Sequence, residues 1–188
     1  MVRSGIEKII LIDYDKIDIS NINRQIIAKN SNVGNFKVDE FKKRILEINP
    51  ECEVIIYKIF LNRDNYQFLI EYQIDYIIDC CDSVDTKKLL IDYSIEHNIK
   101  LISSMGTANK LDPSKLAIMD IRKTSYDPLA KILRKYVNDL KIKNKIMVVS
   151  STEQPQKRTK LSTLVFVPAT AGLLCSNYVI RDIIDSDK

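Results

Sequence analysis

Four short runs rich in β-branched residues alternate with stretches of helical spacing over residues 8–106, and this alternation restricts the chain more than any other feature. KIILID (8–13) reads as a buried strand. In VGNFKVDEFKKRILEINP (33–50), Val38, Phe41, Ile45 and Ile48 recur at amphipathic-helix spacing, and Asn49-Pro50 stops the helix. CEVIIYKIF (52–60) follows as a strand, and RDNYQFLIEY (63–72) as a helix that Asp64 can cap. DYIIDCC (75–81) reads as a strand, DTKKLLIDYSIEHN (85–98) as a helix and KLISSMG (100–106) as a strand. Such alternation predicts an α/β fold, a parallel sheet covered by helices on both faces. Beyond Gly106 the pattern changes. KLAIMDIRK (115–123), KIMVVSS (145–151) and TLVFV (163–167) read as strands. DPLAKILRKYV (127–137) and PATAGLLCSNYVIRDII (168–184) read as helices, the second with Pro168 in its first turn. The polar stretch STEQPQKRTK (151–160) reads as a mobile loop.

A chain of 188 residues is long enough for one domain with a real core, and a single domain over 1–188 is expected. No apolar run reaches the ~18 residues of a membrane-crossing helix. Glu7, Lys8, Asp13 and Asp15 interrupt any signal-peptide core, so a cytoplasmic protein is expected. None of Cys52, Cys80, Cys81 and Cys175 forms a C-x-x-C pair, which argues against a zinc knuckle. Cys80 and Cys81 lie in an apolar run and read as buried, reduced thiols. His97, the single histidine, excludes a multi-histidine metal site and reads as a structural helix-end residue. Charge is unevenly spread: residues 100–160 hold fourteen Lys and Arg against five Asp and Glu. That excess suits a polyanionic partner, and equally a solvated basic face.

The densest polar cluster, LIDYDKIDISNINRQI (11–26), comes directly after the first strand. Ligands of doubly wound sheets bind beyond the carboxyl ends of the strands, where Asp13 lies. A carboxylate at such a strand end accepts hydrogen bonds from ribose hydroxyls. Arg24 as a planar fork and Lys37 as a point charge suit phosphate oxygens. Asp82, ending DYIIDCCD, can hold Mg2+ between phosphate oxygens. Together these groups make a nucleoside-triphosphate site. Each also has a plainer reading. Asp13 can be a strand-end cap, Arg24 can pair with Asp15 or Asp18, Lys37 can be a first-turn surface residue, and Asp82 can cap the helix beginning near Val84.

LIDYDKIDISNINRQI, followed by VGNFKVD, INPECEV and IIDCCDSVDTK, resembles the ThiF/MoeB/HesA superfamily, ATP-dependent activating enzymes related to those of ubiquitin. The D-x-D…S-N-x-x-R-Q signature followed by G-x-x-K carries the resemblance, which runs from about Arg3 to Ile184. It implies that Asp13 binds the ribose, that Asn21, Arg24 and Lys37 contact the phosphates, that Gln25 supports the same loop, and that Asp82 serves Mg2+ and the phosphates. It implies adenylation of a carboxylate with loss of pyrophosphate, a Rossmann-like sheet and a homodimer. RSGIEKIILID, SSMGTANKLDPSKLAIMDIRKTSYDPLAKILRK and FVPATAGLL resemble a narrower branch, the tRNA threonylcarbamoyladenosine dehydratases. With no Cys between Asp82 and Leu174, a thioester relay through that stretch is not expected. In that branch the activated carboxylate belongs to a modified adenosine beside the anticodon of tRNA. Lys110, Lys115, Arg122, Lys123, Lys131, Arg134 and Lys135 are then candidates for tRNA phosphates, and the 151–160 loop, with Lys157, Arg158 and Lys160, for a lid or tRNA contact. The alternatives are adenylation of a sulfur-carrier or ubiquitin-like protein's C-terminus, and a non-catalytic remnant. The family opens on a strand, a G-x-G-x-x-G loop and a helix, whereas here Gly5 is the only glycine before Gly34. The expectation is that this first βα unit is missing, with a central strand of the sheet lost and its neighbours left as open edges.

Overall fold

A computed structural model describes residues 1–157, 159 and 162–186 of the chain. These form two compact units, residues 1–61 and 62–188.

In the first unit, β1 (Lys8–Ile12) pairs in parallel with β2 (Glu53–Tyr57), with Ile10 opposite Ile55. The helix α1 (Lys37–Ile48) connects them, since parallel neighbours need a crossover. Alternation along β1 turns Ile9 and Leu11 toward a core of Ile45, Cys52 and Val54. Asn49 caps the end of α1, its N–H donating to the Ile45 carbonyl at 2.8 Å. All four apolar side chains of β1 remain half-buried. Among the described residues, its other edge pairs with no strand.

The second unit holds a four-stranded sheet in the order β3 (Tyr76–Asp79), β4 (Lys100–Ser104), β6 (Met147–Ser151), β5 (Leu116–Asp120). β3, β4 and β6 are parallel, and β5 joins the far edge antiparallel. A mostly parallel sheet with an antiparallel extension is therefore present in this unit, and β1 and β2 form a separate two-stranded parallel sheet in the first. Two helices, α2 (Val84–Glu96) and α3 (Pro128–Asp139), cover one face around a core of Ile91, Leu101, Ile121, Leu133, Val137 and Val148. The opposite face is covered by α4 (Phe166–Ser186), which buries Val167, Ala171, Cys175 and Val179 at helical spacing. Asp127 starts α3 by accepting from Ala130 N–H at 2.9 Å, with Pro128 at the first position.

Three sequence expectations are corrected here. The stretch 163–167 is not a strand: Phe166 and Val167 already belong to α4. Residues 63–72 do not form an α-helix but a 3₁₀ helix, Tyr66–Glu71, and Asp64 does not cap it. The side chains of Asn62 and Asn65 instead accept the N–H groups of Asp64 and Asn62, which tightens the turn. Cys80 is exposed and Cys81 half-buried, because both lie beyond the end of β3. Of the 151–160 loop, Arg158 and Lys160 lie outside the described residues. No described helix is long and apolar enough to cross a membrane.

Candidate functional site

The first unit holds most of the expected site, and its loops are built from side chains standing in for backbone partners. Asp13 N–H extends the β1–β2 ladder by one bond, donating to the Tyr57 carbonyl at 3.1 Å. The Asp13 carboxylate then accepts from Asp15 N–H at 2.8 Å, an Asx turn that ends the strand. The strand-end reading of Asp13 therefore holds for one carboxylate oxygen. Downstream, Asp18 and Asn21 form a reciprocal capping box around the 3₁₀ turn Ile19–Asn21. Asn21 is buried, and its carboxamide oxygen accepts from Asp18 N–H at 3.0 Å. Gly34, at φ +92°, takes a left-handed turn in which its N–H donates to the Ile17 carbonyl, bringing the 13–18 loop alongside the start of α1.

Arg24 pairs with neither Asp15 nor Asp18. One of its terminal nitrogens donates to the Ser20 carbonyl at 2.6 Å and to Asn23 Oδ1 at 2.9 Å. Its other terminal nitrogen and Nε have no partner among the described residues, so the half-buried guanidinium keeps donors for an anion. Gln25 is half-buried one residue on, its N–H held by the Asn21 carbonyl. Lys37 opens α1 with its side chain 11% exposed, and its Nζ lies 2.5 Å from Asp15, whose side chain is 44% exposed. A buried lysine on a half-open carboxylate is a cation that an incoming phosphate can share.

Two residues that the sequence reading passed over stiffen this platform. The Asn32 side chain donates to the Ile27 carbonyl and to Glu40 and accepts from Lys29 N–H, closing the 27–32 turn. Glu40 also takes Asn35 and Lys43. Lys43 first, then Asn32, hold the Glu40 carboxyl down to about 2. A shallow pocket of about 520 Å³ opens beside α1, lined by Lys16, Asn35, Phe36 and Lys43 among others; Asp13, Arg24 and Lys37 do not line it.

In the second unit, Asp82 is exposed and does not cap α2; Ser83 does, accepting from Thr86 N–H at 3.3 Å. Its chain neighbours are fixed on both sides. Asp79 accepts from Cys81 N–H at 3.1 Å. Lys87, wholly buried, donates to Asp79 at 2.9 Å, to Ser103 Oγ at 3.0 Å and to the Ser104 carbonyl at 2.9 Å. This enclosed network sets the turn that presents Asp82 to solvent. Lys87 lies on the α2 face that also carries Leu90 and Ile91, a lysine in an apolar stripe, which is the signal that could have found it. Among the described residues no group of three His, Cys, Asp or Glu can hold a metal. Asp82 nevertheless fits as one hard oxygen ligand for Mg2+, which commonly completes its shell with phosphates and water.

The basic candidates divide. Lys110 is not a surface residue: it is 1% exposed and salt-bridged to Asp127 at 3.0 Å, with the Gly106 carbonyl as second acceptor. Burial of this charge requires its partner, so Lys110 is removed from the tRNA-facing set. Arg122 is engaged with Asp120 and with loop carbonyls, and Arg134 with Thr124. Lys115, Lys123, Lys131 and Lys135 are exposed.

A family model described as the ThiF family matches residues 1–184. The tRNA threonylcarbamoyladenosine dehydratase of Bacillus subtilis is 39% identical over 98% of this chain and 80% of its own length. The crystal structure of the Escherichia coli tRNA N6-threonylcarbamoyladenosine dehydratase in complex with ATP superposes with TM-score 0.92 at 33% identity, over 99% of this chain and 79% of that one. A probable molybdopterin-synthase adenylyltransferase of Pyropia yezoensis is 44% identical, over only 46% of this chain and 23% of its own length.

Proposed function

This chain belongs to the ThiF family, and from that premise we propose that it is an ATP-dependent tRNA dehydratase acting on threonylcarbamoyladenosine. The carrying observation is the match over 98% of this chain to a dehydratase of that name, against a match over less than half the chain for the adenylyltransferase. The threonyl carboxylate attacks the α-phosphorus of ATP, the bond to the β-phosphate oxygen breaks, and pyrophosphate leaves. The neighbouring carbamoyl oxygen then displaces AMP and closes a five-membered ring, so that one water is lost overall. Such chemistry relies on positioning and charge stabilisation more than on an enzyme nucleophile.

Each residue has a role suited to its setting. Asp13, at the end of β1, accepts from the ribose hydroxyls. Arg24 donates to phosphate through the nitrogens not spent on Ser20 and Asn23. Lys37 supplies a point charge beside Asp15. Asn21 and Gln25 hold the loop and lend it polar contacts to the phosphates. Asp82 holds Mg2+ and the phosphates; when bound, the ion neutralises charge developing on the phosphate oxygens. The substrate is the modified adenosine beside the anticodon of ANN-decoding tRNAs, in the cytoplasm. The exposed lysines 115, 123, 131 and 135 support a phosphate-tracking surface whose affinity falls steeply with salt. Family resemblance supports a homodimer.

The test is pyrophosphate release by the purified chain with ATP, Mg2+ and tRNA carrying the unmodified-ring nucleoside. Release that requires this tRNA, and that Arg24→Ala or Asp82→Asn lowers roughly 10²–10³-fold, supports the reading. Release driven instead by the C-terminus of a sulfur-carrier protein overturns it.

A further inference from the structure

Tyr126 is held in a backbone conformation that its residue type disfavours. Its φ is +57°, and a bulky side chain at positive φ crowds its own backbone. Three other non-glycine residues share the left-handed region, each with a local reason. Asn98 and Lys141 follow the ends of α2 and α3, where Ile99 N–H returns to the Ser94 carbonyl and Ile142 N–H to the Val137 carbonyl. Asn109 is of a type that takes this region readily, and its side-chain oxygen accepts from Ser162 N–H at 2.9 Å. Tyr126 has no such bond. Among the described residues its ring and hydroxyl meet no hydrogen-bonding, ionic or aromatic partner, and it is 59% exposed.

Both sides of the turn are fixed. Thr124 is buried, its hydroxyl donating to the Ile121 carbonyl at 2.6 Å and accepting from Arg134 at 2.6 Å. Asp127 is buried as well, salt-bridged to Lys110 at 3.0 Å and capping α3. It lies so close to Gly106 that a Cβ there would come within 3.0 Å of its carboxylate. A strained backbone persists where its surroundings over-determine it, and here they leave the Tyr126 ring facing solvent. The approach to Gly106 also places the ring along the sheet. β3 and β4 run in parallel with Asp79 opposite Ser103. Asp82 and Gly106 each come three residues later. The turn at Tyr126 therefore stands at the carboxyl end of the parallel strands, where ligands of such sheets bind. Lys123 and Lys131, both exposed, flank it in the chain.

We infer that the Tyr126 ring is a stacking platform for an unpaired base of the tRNA loop that carries the substrate nucleoside. This rests on the dehydratase reading above and deepens it by naming the part of the RNA that the second unit touches. Bases of a loop can be splayed out of their stack, and an exposed aromatic ring then covers one face. The flanking lysines take phosphates on either side. Every base offers such a face, so Tyr126 sets affinity and orientation rather than sequence. Because the turn is fixed beforehand, little ordering remains to be done on binding.

The chain contains no tryptophan, so Tyr126→Trp adds a single indole at the site. Its emission is expected to lose most of its intensity on titration with tRNA carrying threonylcarbamoyladenosine, and to keep it with heparin, a polyanion without bases. Tyr126→Asn removes the ring in a residue that tolerates the left-handed turn, so the fold is not at stake, and an unchanged melting temperature checks this. That variant should raise the Kd for tRNA roughly 5- to 150-fold. The slope of log Kd against log salt should stay as it was, because no phosphate contact is lost. Tyr126→Phe should restore the affinity. Undiminished tRNA binding by Tyr126→Asn, a changed salt slope in that variant, or equal quenching by heparin overturns the inference. Binding and quenching without pyrophosphate release supports the stacking contact and counts against the proposed function alone. Failure of the unaltered chain to bind the tRNA overturns both.

Discussion

Residues 62–188 and residues 1–61 bury lysine in opposite ways. In the larger unit, Lys87 and Lys110 are sealed in with Asp79 and Asp127, every one of the four side chains being at most 1% exposed. In the smaller unit, Lys37 reaches Asp15, whose carboxylate is half open to water. Removing a partner from a sealed pair strands a charge without solvent, whereas an open pair can trade its carboxylate for water or for a ligand's anion. Sealed pairs therefore fix chain geometry: Lys87 holds the turn that carries Asp82, and Lys110 ties the Gly106 carbonyl to the start of α3. The open pair keeps a cation available for binding.

The largest expected effect strikes the sealed side. Lys87→Met strands Asp79 and should cost about 3–5 kcal/mol of stability, read by urea denaturation. The double variant Asp79→Leu/Lys87→Met should recover most of that loss while remaining poorly active, because the turn presenting Asp82 has lost its anchor. A double variant that is both stable and fully active would reduce the pair to a folding device and erase the contrast.

Lys37→Met should do the reverse. It leaves Asp15 facing water, so stability should change by less than about 1 kcal/mol, while pyrophosphate release falls roughly 10²–10³-fold. A large drop in melting temperature with unchanged release would show that Lys37 is as structural as Lys87.

Smaller again is the cap of α2. Ser83→Ala removes the acceptor of Thr86 N–H and should cost about 1 kcal/mol. Because Ser83 directly follows Asp82, release should fall modestly as well; thermal unfolding and initial rates on the same preparation check both.

The smallest effect is a pH dependence in the smaller unit. Glu40 titrates at about 2 in the folded chain against an ordinary 4.5. Its folded value is the lower one, so the stabilisation is complete above 4.5 and is lost as pH falls from 4.5 toward 2. Lys43 is exposed, so solvent screens the pair and its contribution to stability is small. Glu40→Gln should flatten the acid limb of the stability curve and leave neutral pH nearly unchanged.

What could be read from sequence follows from the range of each interaction. β1 to β4 and α1 to α3 were legible because β-branched runs and helical spacing are local signals. The stretch 163–167 failed because a short apolar run does not distinguish a strand from the opening turn of a helix such as α4. Residues 63–72 failed because asparagine side chains took backbone groups that an α-helix would have used. Asp13, Arg24 and Lys37 fall within residues 13–37 of the signature, and the structure places all three in the first unit. Lys110 looked like a surface cation because its partner, Asp127, lies seventeen residues away and the burial that joins them is tertiary.

The most direct test of the central claim follows three products in one reaction of this chain with ATP and tRNA bearing threonylcarbamoyladenosine: pyrophosphate, AMP and the ring-closed nucleoside recovered from the tRNA. The account predicts that all three rise together in equal amounts and vanish in Arg24→Ala. Pyrophosphate and AMP accumulating while the nucleoside stays open, or ring closure proceeding without ATP, would contradict it.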